Sequence, residues 1–202
     1  MSVATATADG NSSLTLQSYE NRLGVWQGSP PSPLVVTCTY TVAANGRVRL
    51  TGSTESCGSN PPVFYLTAPN TGLLIDAAPG VDVGSFEPQA AGTFSNASLS
   101  GTFFAGLAEV VSQSIETLSV SEMTMTPGSG AAGSVSDIGT VTSTTSQTED
   151  SSIADTYTVN SDGTFSAASS GAPIVGIVIN SNKFVRIDDL TSTYPILRVM
   201  EK

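Results

Sequence analysis

An internal repeat constrains this chain more than any other feature. Thr39-Tyr40-Thr41-Val42 followed by Asn45-Gly46 returns as Thr156-Tyr157-Thr158-Val159 followed by Asp162-Gly163, an offset of 117 residues (157 − 40). Downstream, Val63 through Ile75-Asp76 aligns with Val175 through Ile187-Asp188 at an offset of 112 (175 − 63), with Asn70 and Asn182 in the turns. The first copy therefore carries five extra residues between these two segments (117 − 112), in the region 51–60 that contains Cys57. A repeat of this length marks a supersecondary unit used twice.

The unit is made of strands. Apolar residues alternate with polar ones at Leu14/Leu16, Cys38/Tyr40/Val42, Val48/Leu50, Val63/Tyr65 and Phe103/Ala105. Turn signals separate them at Asp9-Gly10, Asn45-Gly46, Pro69-Asn70-Thr71-Gly72, Asp162-Gly163 and Ser181-Asn182. Period-two alternation broken by such turns at intervals of roughly 8–12 residues is the signature of an antiparallel sandwich or barrel. Charged residues are only 12% of the chain, and Ser, Thr, Gly and Asn replace them, which suits turns and short strands better than helices. The best helical stretch, Gly106–Ser119, contains β-branched runs and lacks a clear cap, so it predicts at most one turn of helix. The expected class is all-β, an antiparallel sandwich or barrel, in two related repeats.

The repeats divide the chain into 1–89 and 90–202. The second begins near Ala90, and Phe94–Phe104 reads as its first strand. The first repeat has no counterpart of that strand. The expectation is that the sequence is part of a longer array, or that another segment or copy supplies the strand by exchange or in a homodimer, because a bare sheet edge invites pairing.

The runs Tyr40-Thr-Val-Ala-Ala-Asn-Gly-Arg47, Val63-Phe-Tyr-Leu-Thr-Ala-Pro-Asn70 and Gly84-Ser-Phe-Glu-Pro-Gln89 resemble an uncharacterised repeat of large secreted or surface bacterial proteins. That repeat is similar to lipocalin- and avidin-like (calycin) barrels. The resemblance covers most of the chain and implies a meander barrel in a secreted or cell-surface protein. It carries no activity and assigns no functional residue.

Several functions are excluded by residue content. Seventeen acids against seven bases give a net charge of −10, so nucleic acid is not an expected partner, since phosphate binding needs clustered Lys and Arg. No stretch reaches the roughly 18 apolar residues of a membrane helix. The N-terminal residues have neither the basic nor the apolar part of a signal peptide, so an export signal would have been removed or lie outside this sequence. The chain has no histidine, which rules out Ser-His-Asp and Cys-His catalysis and the usual zinc enzymes. The two cysteines, Cys38 and Cys57, lack a C-x2-C metal spacing, and the repeat aligns Cys38 with Asp155. They predict a disulfide confined to the longer loop of the first repeat, with two free thiols as the alternative; a disulfide would imply an oxidising compartment.

Short motifs dissolve on inspection. Gly128-Ser-Gly-Ala-Ala-Gly133 fits G-x-G-x-x-G, but a strand-like run follows where the dinucleotide fingerprint requires a helix. Ala68-Pro-Asn-Thr-Gly72 echoes a sorting signal and reads better as a turn. Asn11-Ser-Ser and Asn96-Ala-Ser are glycosylation sequons that matter only in a eukaryotic secretory path. Arg47 and Arg49 share one face of a strand, as a solvated face or an anion contact.

Two functional readings remain. In the first, the chain is a secreted or surface module that either binds a small apolar molecule or serves as a structural repeat. Trp26, Tyr40, Phe64 and Tyr157 are the candidate ligand-binding aromatics, because an eight-stranded barrel can hold one small ligand. In the alternative, it is a promiscuous hydrolase of uncharged esters, lactones or phosphotriesters. Asp155 and Glu20, carboxylates on apolar strand faces, would act as its base. Asp76, Asp188 and Asp189, beside loops at strand ends, would hold Ca²⁺, although no twelve-residue Ca²⁺ loop is present.

Overall fold

The computed structural model describes residues 2–22, 25–27, 32–52, 57, 61–76, 82–112, 115–130, 132–143, 147–168, 173–188 and 196–202. They form two antiparallel sheets. The first contains β1 (Ser2–Ala8), β2 (Ser13–Arg22), β3 (Val25–Gln27), β4 (Leu34–Val42), β5 (Arg47–Thr51), β6 (Val63–Ala68), β7 (Thr71–Asp76) and β8 (Asp82–Phe86). It is open, in the order β1-β2-β4-β5-β6-β7-β8, and β3 pairs with β2. The second contains β9 (Gly101–Ser112), β10 (Ile115–Thr126), β11 (Gly133–Ser143), β12 (Gln147–Val159), β13 (Thr164–Ala168), β14 (Pro173–Asn180), β15 (Lys183–Asp188) and β16 (Ile196–Glu201). These eight strands close into a barrel, with β9 pairing both β10 and β16.

Compact units follow the sheets in part. One holds Ala90–Lys202 together with Met1–Val3 and Tyr19–Ser32; the other holds Ala4–Ser18 and Pro33–Gln89.

The strand order β4 to β8 repeats in β12 to β16, and so does local geometry. Val63 stands opposite Ile75 as Val175 stands opposite Ile187. A register shift follows Leu66 in β6 and Val178 in β14. Gly46 and Gly163 both turn through positive φ, +80° and +85°, which glycine adopts without a Cβ clash. Gly46 O accepts from the Leu66 amide at 2.9 Å, and Gly163 O accepts from the Val178 amide at 2.8 Å. Asn45 and Asp162 each take the backbone amide two residues on, at Arg47 and Thr164. Among the described residues, no strand pairs with both β1 and β8 as β9 pairs with both β10 and β16.

One expectation stands and one changes. Gly106–Ser119 contains no helix among its described residues; it lies in β9 and β10, where its β-branched residues fit a pleated sheet. Phe94–Phe104 is not one strand. Asn96–Ser98 form a 3-10 turn closed by Ser95 and Ser98, and the strand starts at Gly101, whose φ is +102°. That turn carries Leu99 into the barrel, where it is fully buried.

Three apolar clusters result. Leu99, Phe103, Met123, Met125, Tyr157, Phe165, Val178, Phe184 and Met200 fill the barrel. Val175, Ile177 and Ile187 on its outer wall pack with Val3 of β1 and Tyr19 of β2. Leu14, Cys38, Val48, Leu50 and Cys57 line one face of the open sheet.

Candidate functional site

The barrel interior gathers the largest cluster of buried side chains among the described residues. Strand alternation brings Phe103 and Ala105 inward from β9, Ser121, Met123 and Met125 from β10, and Val135 and Asp137 from β11. Tyr157 and Val159 come from β12, Phe184 and Arg186 from β15, and Arg198 and Met200 from β16. The aromatic part is closely packed. Phe103 and Phe184 meet edge to face with centroids 5.1 Å apart, and Phe165 lies 5.5 Å from Phe184. The Tyr157 hydroxyl donates to the carbonyls of Leu99 (2.8 Å) and Asn96 (3.0 Å), so its polar end is satisfied inside the plug. Burial holds the Tyr157 hydroxyl above its ordinary pKa of 10.0. Lys202 Nζ sits 4.9 Å from the Phe103 ring centroid.

A charged group shares this interior. Arg186 Nη2 lies 2.7 Å from Asp137 Oδ2, and the Arg186 side chain is only 3% exposed. Its Nη1 approaches Met123 Sδ at 3.5 Å. Arg198, also buried, stands directly opposite Arg186 in the sheet. Asp155 Oδ2, Asp137 Oδ1 and Ser121 Oγ are buried without a hydrogen-bond partner among the described residues. Asp137 lies two residues along β11 from Val135, the direct partner of Asp155, so the two interior carboxylates are diagonal neighbours on adjacent strands.

The candidate residues fall in different places. Asp155 faces the barrel interior, opposite Val135. Glu20 is in the other sheet, opposite Gln27 of β3, so the two carboxylates proposed as a base do not share a wall. Tyr157 is in the barrel plug. Trp26 packs on the barrel's outer wall beside Tyr19 and Val3. Tyr40 and Phe64 lie on the open sheet, around Leu14 and Cys38, and Phe64 meets Phe86 edge to face at 5.6 Å. The four aromatics therefore belong to three clusters and form no single site. The side chains of Asp76 and Asp188, and all of Asp189, lie outside the described residues. No group of three potential metal-ligating side chains comes together among the described residues. Cys38 and Cys57 form a disulfide within the open-sheet core. Gly133 of the glycine-rich run opens strand β11 instead of a helix, which leaves no helix N-terminus for a pyrophosphate.

Sequence reasoning missed Arg186, Arg198 and Asp137. The signal was present: period two puts Arg186 on the face of Phe184, Arg198 on that of Met200, and Asp137 on that of Val135.

The outer wall of β9–β11 carries a shallow open groove of about 380 Å³ around Phe104, Val120, Glu122, Ile138 and Thr140. Phe104, Val120 and Ile138 are 56%, 61% and 45% exposed.

Comparison with protein-family models, with curated proteins and with solved structures gives no match to this chain.

Proposed function

We propose that the chain is a structural β-barrel module of a secreted or surface protein, a rigid unit that binds no small molecule inside its barrel. The observation that carries this reading is the filled interior. Leu99, Phe103, Tyr157, Phe165 and Phe184 occupy the space that a ligand-binding barrel leaves open, and all five are at most 1% exposed. The Arg186–Asp137 pair occupies a further part of it. The disulfide favours an oxidising compartment, in keeping with a secreted or surface location.

One observation favours the hydrolase alternative: the buried, unpartnered Asp155 Oδ2. An interior carboxylate could serve as a base only if a substrate reached it. Thermal melts with a panel of apolar small molecules, and turnover of uncharged esters and lactones with and without EDTA, separate the readings. A structural module shows an unmoved melting temperature and no turnover. A saturable rise in melting temperature returns the ligand-binding reading, and turnover lost in Asp155→Asn returns the hydrolase.

A further inference from the structure

We infer that copies of this chain dock head to tail, the outer wall of β9–β11 of one copy covering the outer wall of β6–β8 of the next. The inference rests on the structural-module reading and names its partner, a second copy of the same chain.

The repeat supplies the argument. The outer wall of β14–β16 is apolar: Val175, Ile177 and Ile187 are at most 2% exposed, with Val185 and Leu197 packed beside them. What covers it is a hairpin end, Val3 of β1 and Tyr19 of β2, with Trp26 of β3 alongside. Tyr19 is only 3% exposed there, and burial pushes its hydroxyl above its ordinary pKa.

The same wall exists in the first repeat. At the 112-residue offset (175 − 63), Tyr65 takes the place of Ile177, Leu73 that of Val185 and Ile75 that of Ile187. Sheet registers agree: Tyr65 faces Leu73 as Ile177 faces Val185, and Ile75 faces Val83 as Ile187 faces Leu197. Yet Tyr65, Leu73, Ile75 and Val83 are 43%, 55%, 50% and 73% exposed. An apolar strip of this kind marks an interaction site.

The covering element is repeated as well. Leu14 opposite Cys38 matches Val135 opposite Asp155, which sets Tyr19 against Thr140. Continuing the hairpin that the Asp9–Ser13 backbone bond begins sets Val3 against Val120. Thr140 and Val120 both line the exposed groove on β9–β11. The chain thus has one such contact made and both halves of a second left open. Charge agrees with apolar fit: Arg47 and Arg49 flank the receiving strip, opposite Tyr65 and Val63 in register. Glu122 sits between Phe104 and Ile138 in the covering patch. Two different patches make the contact heterologous, so it propagates into a ring or filament and does not stop at a symmetric dimer.

Sedimentation velocity tests this on the whole chain. The wild type is expected to increase in weight-average mass by about two-fold or more as concentration rises, as an open-ended contact requires. Leu73→Asp removes the receiving strip and Val120→Asp the covering patch; each variant alone stays monomeric. Mixed in equal amounts, the two restore one contact and form a dimer only. Ile75→Lys and Ile138→Asp provide a second pair, and circular dichroism checks that all four variants are folded. A monomeric wild type at all concentrations, or a mixture that stays monomeric, overturns the inference while leaving the structural-module reading intact. Uptake of a small molecule into the barrel would overturn that reading and leave the docking result standing.

Discussion

Gly133 and Tyr157 stand directly opposite each other on β11 and β12, and the Tyr157 ring fills the space that a Cβ on Gly133 would take. The ring then reaches across to the 3-10 turn and fixes it through the Leu99 and Asn96 carbonyls. A missing side chain on one strand is what lets the barrel be plugged from the next. Gly133→Ala should therefore push the ring off its bonds and cost about 1–3 kcal/mol, as overpacking does. Tyr157→Phe keeps the ring and should lose about 1–2 kcal/mol with its hydrogen bonds. Urea unfolding curves of both variants check the order.

Asp137 and Arg186 should behave as a buried pair. Removing only the carboxylate, in Asp137→Ala, deprives a 3% exposed guanidinium of its partner at 2.7 Å and should cost about 3–5 kcal/mol. Arg186→Met leaves behind an aspartate that is 17% exposed, and should cost less. The double change Asp137→Leu with Arg186→Met should return to within about 1 kcal/mol of wild type, since apolar replacement of a buried pair is close to neutral. A double-mutant cycle by denaturant unfolding measures all three.

Alkaline pH should weaken the fold through its buried tyrosines. Burial raises the pKa of Tyr157, and burial is also the main cause at Tyr19, where Asp162 adds to it and the Thr164 hydrogen bond opposes it. A phenol with a raised folded pKa contributes stability that is complete below its unfolded value of 10.0 and is lost as pH climbs through the folded value. Stability should thus be flat up to about pH 10 and fall above it. Tyr19→Phe and Tyr157→Phe should each make that fall shallower, read from melting temperature against pH.

The disulfide should matter to the open sheet and not to the barrel. Cys38 and Cys57 are separated by 19 residues, a loop whose closure is worth about 3 kcal/mol in the chain-entropy model. Cys38→Ala with Cys57→Ala should destabilise by about that amount, and amide exchange should speed up in β4–β7 while β12–β16 stay protected.

Much of this fold was legible in the sequence, for physical reasons. The strand pattern at Cys38/Tyr40/Val42 and the Asn45-Gly46 and Asp162-Gly163 turns are local signals, and short-range sterics enforce them. The all-β class, sandwich or barrel, follows from them. Closure was less legible: nothing near Gly101 announces that β9 will pair with both β10 and β16, because that pairing joins distant segments. Phe94–Phe104 misled because its apolar residues pack against the barrel from a 3-10 turn as readily as from a strand. The candidate site was read least well. Aromatics on strands suggest ligand contacts, whereas burial and the hydroxyl's partners place Tyr157 among the plug residues. The charges that do lie inside, Arg186 and Asp137, come from strands 49 residues apart in sequence, so only the folded sheet brings them together.

A crystal of the intact chain under xenon pressure tests the filled barrel most directly. Xenon enters dry apolar cavities. No xenon is expected within the ring of Phe103, Tyr157, Phe165 and Phe184. An ordered xenon site there, or an unassigned ligand density between those rings and Arg186, would contradict it.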